Sequence, residues 1–181
     1  SLLFSPQMAA SASASSASAT QGLQVDVRKI RNQLEALQVR IGGDCRDEKK
    51  HVAVLMLSGS LSPIHNGHVG MMELARLVLQ RRGIEVVGGF LAPSSDSYVG
   101  GKLGSDALSL TTRVRLTGVA VEESDWLEVI PWGWANSYRI AQKLHDLLSV
   151  DLRSSLEEVA ASLDVVEIVG ADFALRAQKW R

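Results

Sequence analysis

Two histidines three residues apart, His65 and His68, stand in the stretch SGSLSPIHNGH that spans residues 58–68. An apolar run precedes them and a helical pattern follows, so they fall where a strand turns into a helix. A helix start offers unpaired backbone N–H groups and the positive end of the macrodipole, and both attract phosphate. Gly59 and Ser60 let the backbone approach a ligand closely, and Pro63 stiffens the turn. A positioned imidazole can donate a hydrogen bond, or a full charge, to phosphate oxygens as they gain charge in a transition state. That combination suits phosphoryl or nucleotidyl transfer, where catalysis is mostly positioning and electrostatic stabilisation. Two other readings stay open. The pair could hold a metal, although no further histidine, cysteine or close carboxylate completes a site. It could also be a hydrogen-bonded structural pair at a strand–helix turn. Other phosphate motifs are missing: Gly101-Lys102 is followed by Leu103, so no G-x-x-x-x-G-K-[ST] forms, and no G-x-G-x-x-G opens a helix. A G-x-S-x-G elbow is also lacking.

The elements that must position these residues follow from periodicity. Val52 to Leu57 is uniformly apolar and strand-sized, the pattern of a buried strand. Gly67 to Arg82 reads as a helix with Val69, Met72, Leu74, Ala75, Val78 and Leu79 on its apolar side, and Gly83 just past its end. Ile84 to Leu91 is a second strand, and Pro93 to Asp106 reads as a polar loop. Leu108 to Val121 is a second helix, Asp125 to Trp132 carries a third strand, and Asn136 to Leu148 is helical again. Val165 to Val169 makes a fourth strand that runs into Gly170-Ala171-Asp172. Strand and helix alternate, which predicts a doubly wound, Rossmann-like α/β fold with a largely parallel sheet. Ligands of such sheets bind beyond the carboxyl ends of the strands. Residues 58–68, 93–102, Trp132 and 170–172 collect there.

Composition bounds the rest. The chain has 181 residues, 46% of them hydrophobic, enough for one cored domain and an appendage. A formal net charge of −1 lacks the basic footprint of a nucleic-acid binder. No apolar stretch approaches the ~18 residues that span a bilayer. Cys45 alone builds neither a disulfide framework nor a zinc cluster, and among Gly43, Asp44, Arg46 and Asp47 it reads as an exposed thiol. Residues 1–22 are Ser/Ala-rich and expected to be disordered. No arginine precedes Arg28, so a cytoplasmic or nuclear compartment is preferred and organellar targeting stays open. In residues 23–43, Leu23, Val27, Ile30, Leu34, Leu37 and Ile41 share one helix face, closed by Gly42 and Gly43. That helix is expected to lie on its own domain or stand free, with homo-oligomer formation through the seam as the other option. The compact domain is placed at residues 51–181.

Four blocks carry a family likeness. GSLSPIHNGH resembles the G-[ST]-F-x-P-x-H-x-G-H signature of the nucleotidyltransferase superfamily. GGFLAPSSDSYVGGKLG, RVRLTGVAVEESDWLEVIPW and VEIVGADF resemble, in order, three further stretches of the eukaryotic nicotinamide/nicotinate mononucleotide adenylyltransferases. The resemblance implies adenylyl transfer from ATP to nicotinamide or nicotinate mononucleotide, with Mg²⁺ held mainly by the ATP phosphates and no covalent intermediate. It implies that His68, with His65 beside it, acts on the α-phosphate. Gly59, Ser60 and Leu61 would lie along the nucleotide, and Lys102 would contact phosphate. Gly170, Asp172, Trp180, Trp132 and Tyr138 would serve the mononucleotide, Trp180 by stacking on its base. Core packing is the other reading of each tryptophan, and Trp126 reads as core.

The departures define the alternatives. Leu61 replaces the family's usual phenylalanine, and Gly133 replaces an acid beside Trp132. A later I-S-S-T-x-x-R block that holds ATP phosphates in the family has no counterpart; Ser154-Ser155 leads to Leu156. The chain is therefore expected to be a C-terminally incomplete adenylyltransferase. A non-catalytic nucleotide-binding remnant and a transferase with another acceptor are the alternatives.

Overall fold

Val52 to Leu57 are all buried and form the middle of β1 (Lys50–Gly59). Their side chains alternate between two cores, as a pleated strand requires. Val52, Val54 and Met56 enter one core, and Ala53, Leu55 and Leu57 the other. A strand buried on both faces must lie inside a sheet covered on both sides. The computed structural model describes residues 24–41 and 49–176 and shows that arrangement. The Ser/Ala-rich start, Leu23, Cys45 and Trp180 lie outside the described residues.

In chain order, α1 (Arg28–Ile41) precedes β1, followed by α2 (Asn66–Gln80), β2 (Glu85–Pro93), α3 (Asp96–Leu103) and a 3₁₀ turn (Gly104–Asp106). Then come α4 (Leu110–Ala120), β3 (Leu127–Val129), α5 (Ser137–Asp151), α6 (Arg153–Val159), β4 (Ala160–Glu167) and α7 (Ala171–Arg176). The sheet is parallel throughout, in the order β3-β2-β1-β4. The chain thus steps outward from β1 to β3 and then returns to the far side of β1. That reversal makes the fold Rossmann-like and opens a cleft between the carboxyl ends of β1 and β4.

Helix α1 is part of this body. Ile30 and Leu34 and Leu37 are buried in the same core as Val54 and Leu144. Lys29 donates to the carbonyls of Val121 and Leu127 and pairs with Glu128 at 3.0 Å, which pins the start of the helix near β3. The glycine pair in β2 shows how closely the layers approach. A Cβ at Gly88 would lie 2.5 Å from Ile30 Cγ1, and one at Gly89 would lie 2.6 Å from Trp126 Cζ3. Side chains there would push both layers off the sheet.

One expectation is corrected. Residues 93–106 are not a polar loop: most of them form α3 and the 3₁₀ turn. Ser95 Oγ accepts from Tyr98 N–H as an N-cap, and buried Val99 anchors the helix despite Gly100 and Gly101. Further differences lie at boundaries. β4 begins at Ala160, ahead of Val165, and α6 fills a stretch with no strong periodic signal.

Candidate active site

The carboxyl ends of β1, β2 and β4 open into a cavity of about 540 Å³. That is within the range of small-molecule sites. Its lining brings together Gly59, Ser60, Leu61, His65, His68, Lys102 and Gly170. Tyr98, Glu167 and Phe173 also line it. Trp132 and Tyr138 lie elsewhere. Trp132 is buried against Trp134, their rings 5.2 Å apart, with Lys143 4.7 Å from the Trp132 ring centre. Tyr138 is an exposed residue of α5. Asp172 lies in the backbone of α7, directly after Gly170 and Ala171.

The histidines cap α2. His65 is the N-cap residue, and its Nδ1 accepts from Gly67 N–H at 3.2 Å. His68 Nδ1 accepts from His65 N–H, also at 3.2 Å, and the two rings lie 3.8 Å apart. A nitrogen that accepts a hydrogen bond carries no proton. Both rings are therefore assigned as neutral Nε2–H tautomers from their hydrogen bonds. Partial burial holds the His68 pKa below the ordinary imidazole value, and the charge His65 would carry adds to that. The pair thus offers two neutral N–H donors at a helix start. Gly67 is required by this arrangement, since a Cβ there would lie 2.9 Å from His65 Nδ1.

The loop after β1 is stitched to its neighbours. Gly59 O accepts from Ser94 N–H, Ser62 Oγ accepts from Leu108 N–H, and Ser60 O accepts from Arg113 Nη1. Leu61 is buried with φ of 45°, a left-handed conformation that costs a non-glycine residue roughly 1–2 kcal/mol. The surrounding bonds and the burial of its side chain hold it there. Nothing in the protein lies within 4 Å of a Cβ built on Gly59. The packing does not demand glycine at that position; the open cavity lies beside it. Ser60 Oγ is buried and has no hydrogen-bond partner. A buried hydroxyl without a partner calls for an explanation, and a ligand atom would supply one.

Among the described residues, no group of three or more His, Cys, Asp or Glu residues could hold a metal ion. A second hollow, of about 450 Å³, lies beside the start of β3. Arg28 pairs there with Asp26 and Lys29 with Glu128, and Arg115 and Glu122 add one charge of each sign, so the lining does not favour a ligand of one sign.

Sequence reasoning did not single out Tyr98, Glu167, Phe173 or Arg113. Tyr98 and Lys102 reach one wall because residues 96–103 are helical and four-residue spacing shares a face. Reading that stretch as a loop hid the relation. Glu167 ends β4 where the cleft opens, and the strand's later predicted start did not conceal it. The cue was there in the topology.

Parallel strands, a reversal of strand order and a helix start at the cleft define a nucleotide-binding type of α/β protein. No family model matches the chain. It is 37% identical over 106 residues to a Xenopus tropicalis protein named nicotinamide/nicotinic acid mononucleotide adenylyltransferase 2, covering 55% of this chain and 33% of that protein. An Oryza sativa nicotinamide/nicotinic acid mononucleotide adenylyltransferase is 35% identical over 108 residues, 57% of this chain and 42% of its own length. The Arabidopsis thaliana protein of that name is 31% identical over 129 residues, 71% of this chain and 52% of its own. Over the region it shares with them, the chain is similar in sequence to these nicotinamide/nicotinic acid mononucleotide adenylyltransferases. It spans between a third and about half the length of these relatives.

Proposed function

We propose that the cavity is a site for adenylyl transfer from ATP, entering with Mg²⁺, to nicotinamide or nicotinate mononucleotide. One observation carries the reading. The backbone of Gly59–Leu61, the α2 histidines and Lys102 converge on one space, into which β1 and β4 open at the reversal of strand order. The homologues' names supply the substrates.

In this reading a phosphate oxygen of the mononucleotide attacks the α-phosphorus of ATP. The new P–O bond joins the two nucleotides, the bond to the β-phosphate oxygen breaks, and pyrophosphate leaves. His68 donates its Nε2–H to an α-phosphate oxygen, with His65 beside it at the same helix start. A neutral donor suffices, because the charge grows on the oxygen and the donor is already aligned. Lys102 neutralises phosphate charge from the opposite wall. Ser60 Oγ gains its missing partner from a phosphate oxygen. Gly170, which lines the cavity, serves the mononucleotide in this reading, which extends that role to Asp172 and Trp180.

The test is a coupled assay of this chain with ATP, Mg²⁺ and nicotinamide mononucleotide. Turnover is expected, with a loss of about a hundredfold or more in His68→Ala, the size of one removed oxyanion donor. Mononucleotide binding without any turnover would mark the chain as a nucleotide binder instead. Equal turnover in His68→Ala would remove the histidine from the mechanism.

A further inference from the structure

Helix α4 does not turn an apolar stripe toward the sheet. The buried residues within it are Arg113 and Thr117, and Arg113 has no solvent exposure at all. Thr117 satisfies itself by donating to Arg113 O. A buried arginine is an expensive way to fill a core, since an apolar side chain of similar volume generally packs there with equal or better stability. Its presence asks for another reason, and its partners supply one.

The guanidinium bridges three separate segments. Nη1 donates to Ser60 O, at the end of β1, and to Ser94 O, at the end of β2. Nε donates to Leu108 O, and Nη2 pairs with Asp96 Oδ1 at 2.8 Å. Asp96 in turn accepts from Leu110 N–H at the start of α4. Ser60 lies on the histidine side of the cavity, whereas Ser94 and Asp96 lead into the helix that bears Tyr98 and Lys102. Arg113 therefore joins the two walls through side-chain hydrogen bonds, beside the direct bond from Ser94 N–H to Gly59 O. From below, it also holds the carbonyl of the residue whose hydroxyl stays unpartnered.

We infer that Arg113 is a positioning residue: its planar fork sets the spacing between the phosphate-facing loop after β1 and the Tyr98/Lys102 wall, without touching substrate. The inference rests on the adenylyl-transfer reading of this cavity. A lysine keeps the charge but has one nitrogen on a flexible stem and cannot span these acceptors. If Arg113 only balanced charge or filled space, Arg113→Lys would be nearly silent.

The experiment compares the full chain with its Arg113→Lys variant in two measurements. Hydrogen exchange is followed by mass spectrometry at residues 59–62, 94–98 and, as a reference, 53–57. Titration calorimetry measures binding of MgATP and of nicotinamide mononucleotide. The expected result is faster exchange in both loops, by about tenfold or more, with the β1 reference unchanged, together with affinity for both ligands lowered by about tenfold to a hundredfold. Wild-type exchange and wild-type affinity in the variant would overturn the inference. So would loosened loops with undiminished affinity, because loop order would then not govern the site. Wild-type protein that binds neither ligand would overturn the adenylyl-transfer reading itself, and the positioning role with it, a failure visible before any variant is made. Should Arg113→Lys not fold, Asp96→Asn carries the same comparison, since it weakens the Nη2 pairing while leaving an oxygen to accept from Leu110 N–H.

Discussion

Leu34→Ala tests whether α1 belongs to the domain or merely accompanies it. Leu34 has no exposed surface and sits between Ile30 and Leu37 on the buried face of α1. The substitution removes about three methylene equivalents, worth roughly 2.4 kcal/mol at ~0.8 kcal/mol each. A void on the order of 60 Å³ left behind adds about 1.5 kcal/mol. Better helix propensity returns only a few tenths of a kcal/mol. The net loss is about 3.5–4 kcal/mol, which for a domain of this size lowers Tm by roughly 7–16 °C. Val39→Ala, on the same helix but 80% exposed, is the control and should stay within about 0.5 kcal/mol of wild type. Thermal denaturation followed by circular dichroism at two protein concentrations reads both. A dimer held together by the α1 seam would make Tm rise with concentration. A Leu34→Ala Tm within about 2 °C of wild type would refute the reasoning and leave α1 an appendage.

Gly133 has φ of 62°, and a Cβ there would lie 2.2 Å from Leu110 Cδ2. Gly133→Ala should cost about 2–4 kcal/mol in urea denaturation, from the left-handed backbone plus overpacking; a loss below 1 kcal/mol would show that Leu110 gives way. Lys29→Met should lower stability by about 1–2 kcal/mol in the same assay, by removing donors from Val121 O and Leu127 O and a partner from Glu128. No loss would mean that water replaces those bonds. The pH dependence has a definite sign. His68 is held below its unfolded pKa of about 6.5, so the unfolded chain binds the extra proton first as pH falls. Its contribution is complete above the unfolded value and declines as pH falls from there through the folded pKa. The Tm difference between wild type and His68→Gln should therefore shrink, in wild type's disfavour, on acidification from pH 7.5 toward 5. A difference that is flat or grows would contradict the depressed pKa.

How much of this was legible in the sequence depends on what kind of force sets each element. Val52 to Leu57 could be read as a buried strand because burial on two faces leaves a continuous apolar run. The span of α2 was as clear, but its apolar face is narrower than its sequence suggests: Met72 is buried and Val69, Ala75 and Leu79 pack against the core, whereas Leu74 and Val78 are exposed. Residues 93–106 were not legible. Ser95 and Asp96 look like loop residues in composition, yet one caps α3 and the other serves the start of α4. Local polar residues satisfy either a loop or a cap, and only the tertiary partners decide. Arg113 was hidden for a related reason, since a helical arginine is ordinarily solvated and nothing in TTRVRLTG reveals a guanidinium facing carbonyls from two distant strands. The glycine pair of β2 carried a signal that needed the third dimension, a helix on one face and a tryptophan on the other.

The histidine pair and the reversal of strand order meet for a physical reason. β1 lies between β2 and β4 at the reversal of strand order, so the chain leaving it emerges where the connections of neighbouring strands diverge. Only a tight, irregular turn lets it enter α2 directly there, and Leu61 adopts its left-handed conformation within that turn. An ordinary serine or asparagine cap would satisfy the α2 start and nothing more. A histidine cap spends Nδ1 on the backbone and keeps Nε2–H for something else. Two such caps in one turn, beside a buried hydroxyl without a partner, leave three polar groups whose remaining valence points outside the fold's own hydrogen bonding. A structural pair would close on itself, as Thr117 does with Arg113 O. The protein itself uses neither Nε2–H, and in the proposed function an anion with several oxygens takes both of them together with Ser60 Oγ.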